Sequence, residues 1–364
     1  MGVFSIFKDE AFFCGTIPCG NDFYTEAKEL VTQTLKEAPS GFAPVWFRFH
    51  VSDIANQEDI LRKALADLDL HCAVAITGQA PLDGSHAGLE AYFTSAPVTM
   101  PAPGQSCVGG ENYTQLYFNT PLLNSRGSGP QMREEFLAAQ KIISDRGGNI
   151  PENLQRTWIY CRDIDNNYAD LVVARRELFE RWGMTANTHF ITSTGIEGVA
   201  HPYYRLVRMD SMALFGHKPE QIQYLYALEN LSPTHVYGVT FERATRIIYG
   251  DRSCYYSSGT ASIDKEGQVV HLQDVEKQTL RLLENVDALM KEGNGSLADL
   301  TQAVIYLRDP ADYSKVKKII DSALPATAAR LIVRGSICRP TWLVEMDAIG
   351  VNDCGDSRFA PWGK

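Results

Sequence analysis

One pattern of alternating strands and helices occurs three times in this chain, and the repetition constrains the fold more than any other feature. The clearest copy predicts a strand at 254–263, a helix at 274–293, a strand at 301–309, a helix at 311–324 and a closing strand pair at 329–349. Apolar residues recur every three or four positions in the first helix and alternate with polar ones in the last strand. The order β-α-β-α-β predicts an α+β unit.

The other two copies lie upstream. RTWIYCRD at 156–163 matches QAVIYLRD at 302–309, and VWFRFHVSD at 45–53 is the middle strand of the N-terminal copy. We therefore divide the chain into units at 1–97, 113–216 and 239–350, a Pro/Gly/Ser-rich linker at 98–112, a connection at 217–238 and a loosely ordered tail at 351–364. Three copies in one chain predict an intramolecular pseudo-trimer whose sheets protect each other's edges.

Composition excludes several classes of function. The 364 residues carry a net charge of -10 without any cluster of Lys or Arg, which argues against nucleic acid or an anionic membrane as a partner. No apolar run approaches the ~18 residues of a membrane span, and the N-terminal residues do not resemble a secretory signal. The eight cysteines form no C-x-x-C pair. We expect a cytoplasmic protein with reduced thiols, no metal and no cofactor.

The closing segment 329–349 holds four residues that can do chemistry, namely Arg330, Cys338, Arg339 and Glu345. Glu345 lies between apolar neighbours in a predicted strand, where a carboxylate is costly and its pKa tends to rise, so that it can carry a proton. Arg330 offers a planar fork that suits a ligand carboxylate. Three of these residues also have a structural interpretation. Glu345 can be a solvent-facing carboxylate, Arg330 part of a surface ion pair and Cys338 a buried thiol.

The third copy resembles the RidA (YjgF) family, whose fold is also called chorismate-mutase-like. Besides Arg330, the motifs that carry the resemblance are FERA (241–244), SGTASID (258–264), ENVDALM (284–290), VIYLRD (304–309) and LVEMDAI (343–349). The whole chain, with two divergent units before this one, resembles the chorismatases. The motifs that point there include RTWIY (156–160) and HPYYRLVRMDSMAL (201–214). The resemblance implies three RidA-like units in a pseudo-trimer.

The same resemblance implies an activity and its residues. It implies a chorismatase of secondary metabolism, a lyase or hydrolase that cleaves the enolpyruvyl ether of chorismate by acid catalysis and forms 3-hydroxybenzoate and pyruvate. Glu345 matches the acid, and Cys338 and Gly259 match the 3-hydroxybenzoate-forming subclass. Arg330 matches the arginine that holds the substrate carboxylate. The full set of expected substrate-binding residues is Tyr203, Tyr204, Arg205, Phe241, Arg243, Gly259, Thr260 and Arg330.

We expect one competent site, because the counterparts of Glu345 in the other copies are assigned as Glu90 and Arg208, and an arginine cannot act as a general acid. Two other functions stay open, a RidA-type enamine or imine deaminase and a non-catalytic protein that binds a small ligand. Ile332 stands where many RidA deaminases have Cys, which disfavours the deaminase. We expect a monomer, since the threefold closure is intramolecular, with a dimer as the alternative.

Overall fold

The computed structural model describes residues 2–20, 22–121 and 124–363. Its first unit is a five-stranded sheet in the order β1-β2-β5-β3-β4, with two helices that carry the chain between strands. The elements are β1 Gly2–Phe7, β2 Glu10–Thr16, α1 Phe23–Glu37, β3 Ala43–Val51, α2 Ile54–Asp67, β4 Ala73–Gly78 and β5 Ala87–Thr94.

The second unit is a six-stranded sheet in the order β10-β9-β11-β8-β7-β6. Its elements are β6 Val98–Ala102, β7 Gln105–Gly109, β8 Thr114–Asn119, α3 Ser128–Ser144, α4 Ile150–Asn153, β9 Leu154–Cys161, α5 Ile164–Arg181, β10 Thr192–Glu197 and β11 Val207–Phe215.

The third unit is a six-stranded sheet in the order β12-β13-β14-β17-β15-β16. Its elements are β12 Ile222–Leu225, β13 Ala244–Ile248, β14 Ser253–Ala261, α6 Val275–Glu292, β15 Leu300–Leu307, α7 Tyr313–Ala323, β16 Ala329–Arg334 and β17 Val344–Asn352. No helix in the described part of the chain is long and apolar enough to cross a membrane.

The three sheets share one four-stranded core, which confirms the predicted α+β class and the threefold repetition. The cores are β2-β5-β3-β4, β8-β11-β9-β10 and β14-β17-β15-β16, and in each the last two strands are parallel while the others are antiparallel. Parallel neighbours need a crossover connection, and a helical segment supplies it each time. The last strand of each core packs against the next unit, β4 against β8, β10 against β14 and β16 against β2.

Three predicted connecting segments are instead ordered parts of the units. The segment 98–112, predicted as a linker, forms the hairpin β6–β7, and its Gly104 takes the positive φ that the turn requires. The connection 217–238 contains β12, which pairs with β13. The described part of the tail, 351–363, packs against the third unit, with Trp362 buried and the guanidinium carbon of Arg252 lying 5.2 Å from its ring centroid. Turn-forming residues therefore marked a tight hairpin here and not a flexible joint.

Buried charges occupy the junction between the first and second units. Arg48 on β3 bonds Asp210 on β11 at 2.9 Å and lies 3.3 Å from Glu90 on β5. Asp210 also accepts from Arg208 at 2.8 Å, and His50 contacts Glu90 at 2.6 Å. Burial would raise the pKa of Glu90, but Arg48 and His50 outweigh it and hold that pKa below its usual value. The charges are therefore paired across the two units, as buried charges must be.

Candidate active site

A cavity of about 260 Å³ opens between the second and third units, slightly below the ~300–1,000 Å³ range of small-molecule pockets. We call it the Glu345 cleft. Its walls come from α5 and β10 of the second unit and from β14, β17 and the loop before β17 of the third. The lining residues are Tyr168, Ala169, Val172, Arg175, Ser193, Gly195, Gly238, Val239, Phe241, Arg243, Gly259, Ala261, Ile263, Cys338, Arg339, Trp342 and Glu345.

The side chain of Glu345 is the acidic group of this cleft. It lies on β17, where it pairs with Ala261 and Tyr306 of the neighbouring strands, and only 5% of it is exposed. No hydrogen bond to its carboxyl group forms among the described residues. Burial, and then the nearby charge of Asp347, raise the pKa of Glu345 to about 8, although Arg156 and Arg243 oppose the shift. The carboxyl group is therefore mostly protonated at neutral pH and can donate that proton.

Asp347, two residues along β17, lies in a different environment. Its Oδ2 accepts hydrogen bonds from the hydroxyls of Thr194 at 2.8 Å and Tyr306 at 3.0 Å, and it lies 3.3 Å from Arg156. Arg156 in turn stacks on Trp158, with 4.5 Å between guanidinium and ring centroid. Asp347 thus has partners for its charge, while no described residue forms a comparably close ion pair or hydrogen bond with the carboxyl group of Glu345.

Three arginines line the cleft from different parts of the chain. Arg175 projects from α5 and donates to the hydroxyl of Thr240 at 3.2 Å. Arg243, which precedes β13, donates to the carbonyl oxygen of Ser232 at 2.8 Å. Arg339 lies 4.8 Å from the ring centroid of Trp342 in the loop before β17. Since guanidinium groups bind carboxylates through two parallel hydrogen bonds, the cleft is suited to an anionic ligand.

Cys338 lies beside the acid and keeps its proton. Burial, followed by the charge of Glu345, raises the pKa of the thiol to about 12, and a hydrogen bond with Tyr168 only partly offsets the shift. Because the thiolate is the nucleophilic form of cysteine, the uncharged thiol of Cys338 is a poor nucleophile at physiological pH and contributes a neutral side chain to the lining of the cleft.

Comparison with known proteins places the third unit in a family. A family model described as endoribonuclease L-PSP matches residues 245–352. The 3-aminoacrylate deaminase RutC of Acinetobacter baylyi is 33% identical over 95 residues, which cover 26% of this chain and 75% of RutC. The chain belongs to the endoribonuclease L-PSP family. This is the family that the sequence motifs indicated under its RidA name.

Solved structures extend the likeness beyond this family unit. A chorismatase crystal structure matches with a TM-score of 0.66 and 18% identity, covering 95% of this chain and 100% of the chorismatase. A RidA protein from an Antarctic Psychrobacter matches with a TM-score of 0.29 and 19% identity over 35% of this chain and 98% of its own. The chorismatase match confirms the predicted likeness in fold to the chorismatases.

Only part of the predicted site comes together in the Glu345 cleft. Glu345, Cys338, Gly259, Phe241 and Arg243 all line it. The other predicted residues lie elsewhere, and they are Thr260, Arg330, Arg205, Tyr203 and Tyr204. The hydroxyl of buried Thr260 donates a hydrogen bond of 3.0 Å to the carbonyl oxygen of Ser258 on the same strand.

Arg330 lies on the wrong face of the third unit to reach Glu345. It is on β16, which packs against the first unit, and it bonds Asp321 at 2.9 Å. The strand that faces Glu345 is β10 of the second unit. Strand register makes Ser193 on β10 the counterpart of Arg330, because Ser193 pairs with Thr157 as Arg330 pairs with Ala303. In this pseudo-trimer the RidA-type arginine and the acid of the same unit therefore belong to different interfaces.

Arg205 and its neighbours also lie outside the cleft. Arg205 approaches Glu135 at 3.3 Å and lines a separate cavity between the first and second units. Tyr203 is 78% exposed, and the ring of Tyr204 lies 4.0 Å from the guanidinium carbon of Arg126. The loop that follows β10 points towards the first unit, which is why these residues do not reach the third.

Strand register corrects the assignment of the counterparts of Glu345. The aspartates that follow β3, β9 and β15, at positions 53, 163 and 309, align the three units. Glu345 pairs with Tyr306, three residues before Asp309, and Arg208 pairs with Tyr160, three residues before Asp163. In the first unit the residue three before Asp53 is His50, and it pairs with Gly88. Glu90 pairs with Arg48 two positions away, so it corresponds to Asp347. The three equivalent positions are thus glycine, arginine and glutamate.

The interface at Gly88 is filled. A Cβ built on Gly88 would lie 2.9 Å from Cδ2 of Leu331, so the side chain of Leu331 occupies the space that a longer residue would need. Among the three equivalent positions, Glu345 is the one with a carboxyl side chain, and a single competent site stays a prediction.

Sequence reasoning missed two of the three arginines and two aromatic residues of the described cleft lining, Tyr168 and Trp342. Arg339 was recognised as chemically capable but was given no role, although it directly follows Cys338. Arg175 lies on a helix of a divergent unit, and no motif marked it. Tyr168 lies seven residues before Arg175 on the same helix, so the two side chains share one helix face. That spacing was the available signal.

One group of possible metal ligands lies outside this cleft. Donor atoms of Cys19, Glu26 and His86 in the first unit lie within 4.8 Å of one another. His86 and Glu26 are hydrogen-bonded to each other at 2.7 Å. None of these residues lines the Glu345 cleft, so they do not enter its chemistry.

Proposed function

We propose that this protein is a chorismatase that converts chorismate to 3-hydroxybenzoate and pyruvate. The observation that carries the proposal is the buried carboxyl group of Glu345, whose pKa of about 8 keeps it protonated in a cleft lined by arginines. The likeness in fold to a chorismatase along 95% of the chain supports it. Fold alone does not define activity, and the proposal therefore rests on the chemistry of the cleft.

The arginines of the cleft would bind and orient the substrate. Chorismate carries two carboxylates, which need two cations at separate positions in the cleft. Arg175 comes from the second unit, whereas Arg243 and Arg339 come from the third. We assign the two carboxylates to this set, in place of the Arg330 and Arg205 pair that the sequence favoured.

Glu345 would start the reaction as a general acid. Its proton goes to the methylene carbon of the enolpyruvyl ether and leaves an oxocarbenium-like centre at the ether carbon. Water adds there and returns a proton to the Glu345 carboxylate, and the neutral hemiketal collapses to pyruvate and a ring diol. Loss of one ring hydroxyl and one ring proton as water gives 3-hydroxybenzoate. The water added equals the water lost, so chorismate equals hydroxybenzoate plus pyruvate.

The choice between the diol and the aromatic product would depend on Gly259 and Cys338. A Cβ built on Gly259 would lie 2.2 Å from Oε1 of Glu345, so glycine lets the acid occupy this part of the cleft. Cys338, as a neutral thiol beside the acid, would shape the ring environment and form no bond to the substrate.

We expect Gly259→Ala to lower pyruvate release from chorismate by roughly 10- to 100-fold, because a displacement of the acid by about 1 Å misaligns proton transfer. The measurement is kcat for pyruvate release in the variant. Gly20→Ala is the matched control, since a Cβ there meets no atom within 4 Å. Equal rates in wild type and Gly259→Ala would contradict the close contact with Glu345.

We expect kcat/KM to fall as pH rises above about 8. Glu345 must be protonated to act, and its raised pKa of about 8 leaves it active at neutral pH and inactive once it ionises. The fall should approach tenfold per pH unit. Circular dichroism over the same pH range excludes unfolding as the cause, and a rate that increases from pH 7 to pH 9 would rule out an acid with this pKa.

The decisive test is to incubate the purified protein with chorismate, measure pyruvate and separate the ring product by chromatography. Pyruvate with 3-hydroxybenzoate supports the full proposal. Pyruvate with a dihydrodiol keeps the chorismatase activity and rejects the assigned roles of Gly259 and Cys338. Absence of pyruvate rejects the proposal.

Similarity to the deaminase RutC favours a second candidate, hydrolysis of a small enamine or imine. Its expected arginine, Arg330, lies at another interface and bonds Asp321. An assay with an imino acid substrate separates the two activities. Retention of chorismate without turnover would instead indicate a binding protein.

A further inference from the structure

A second cavity lies between the first and second units, at the place that corresponds to the Glu345 cleft. Its volume is about 790 Å³. Its lining includes Val74 and Ile76 on β4 of the first unit and Arg208 on β11 of the second. Arg208 holds the strand position of Glu345, as the register shows. We call this cavity the Arg208 cleft.

Cations dominate the lining of the Arg208 cleft. Arg62, Arg205 and Arg208 line it, and Glu58 is the one carboxylate among the described lining residues. Most of the side chain of Arg62 is exposed, and it is paired with Glu58 at 2.5 Å on the rim. An exposed pair of this kind contributes little stability and can open towards a ligand at small cost.

Arg208 forms the buried end of this cationic lining. Only 7% of its side chain is exposed. Its guanidinium group donates to the carbonyl oxygen of Ile76 and, at 2.8 Å, to Asp210. These bonds fix its orientation at the cavity wall. A fixed, largely desolvated guanidinium is a stronger anion ligand than one that moves in solvent.

Arg205 adds positive charge beside it. The carboxyl group of Glu135 lies 3.3 Å from Arg205 and also accepts from Thr120. Burial raises the pKa of Glu135 to about 8, with Arg205 opposing the shift. At neutral pH the charge of Arg205 is therefore only partly compensated by this neighbour, which supports binding of an anion in the same cavity.

We propose that the Arg208 cleft is a second ligand site, which binds a small oxyanion bearing a carboxylate or a phosphate group. Guanidinium groups recognise both groups by the same forked hydrogen bonds. The position that carries Glu345 in the other cleft is an arginine here, so this site lacks the equivalent acid and is suited to binding an anion. The proposal is independent of the chorismatase reaction.

Calorimetric titration of the intact protein with inorganic phosphate, and separately with benzoate, tests the site. We expect at least one of them to bind, and both Arg62→Ala and Arg205→Gln to weaken that binding by about tenfold, the effect of losing one charge-assisted hydrogen bond. Arg133→Ala is the matched control, because Arg133 pairs with Glu177 on the helices of the second unit and does not line the cleft.

Binding of phosphate but not benzoate, or the reverse, with the expected weakening identifies the group that the site selects. Two results overturn the proposal. One is the absence of binding of either anion up to about 10 mM, a concentration that detects even weak sites. The other is equal affinity in wild type and Arg62→Ala, which would place the bound anion elsewhere. Pyruvate release, measured in parallel, reports on the chorismatase proposal separately.

Discussion

Glu345→Gln is expected to lower pyruvate release from chorismate by about 10²- to 10⁴-fold, the usual contribution of a general acid. Glutamine has nearly the same shape and occupies the same buried position, but it has no transferable proton. The side chain of Glu345 accepts no hydrogen bond from the described residues, so the amide breaks no existing contact. The loss should therefore appear in kcat, with substrate affinity close to that of wild type.

Glu284→Gln is the control for this variant, because it makes the same chemical change on an exposed side chain of α6. It should retain full activity. Thermal unfolding of both variants shows whether the fold is intact. A Glu345→Gln protein that folds and releases pyruvate at the wild-type rate would remove Glu345 from the mechanism, and another proton donor would have to be found.

Arg48→Met is expected to lower the free energy of unfolding by about 3–5 kcal/mol, the cost of removing one partner from a buried ion pair. Arg48 is 2% exposed and bonds both Asp210 and Glu90. Its guanidinium carbon also lies 4.3 Å from the ring centroid of Trp158. Methionine preserves much of the volume but leaves two buried carboxylates with less positive charge nearby.

The measurement is chemical denaturation followed by circular dichroism. Arg358→Met is the control, since Arg358 pairs with Asp356 at the surface and the same substitution there should change stability by about 0.5 kcal/mol or less. A change of similar size in both variants would contradict a structural role for the charges between the first and second units.

Local patterns were sufficient for the units themselves. Alternation and helical spacing predicted strands and helices of all three copies, and the motifs around 258–264 and 343–349 predicted a RidA-like third unit. Glu345, singled out by its strand pattern, and Cys338, singled out by the family resemblance, both line the cleft. The same method misjudged 98–112, since a Pro/Gly/Ser-rich composition is shared by linkers and tight hairpins.

The composition of the site depended on the tertiary structure. Glu345 could be found from its own strand, but its neighbours Ser193 and Arg175 come from a different unit, more than a hundred residues earlier in the chain. Arg330 shares a unit with Glu345 and still lies at another interface. Sequence determined the three repeated units and singled out the carboxyl group of Glu345, because hydrophobic periods and short motifs are local. The packing of edge strands around the pseudo-threefold arrangement decided which side chains meet, because that contact depends on register between sheets.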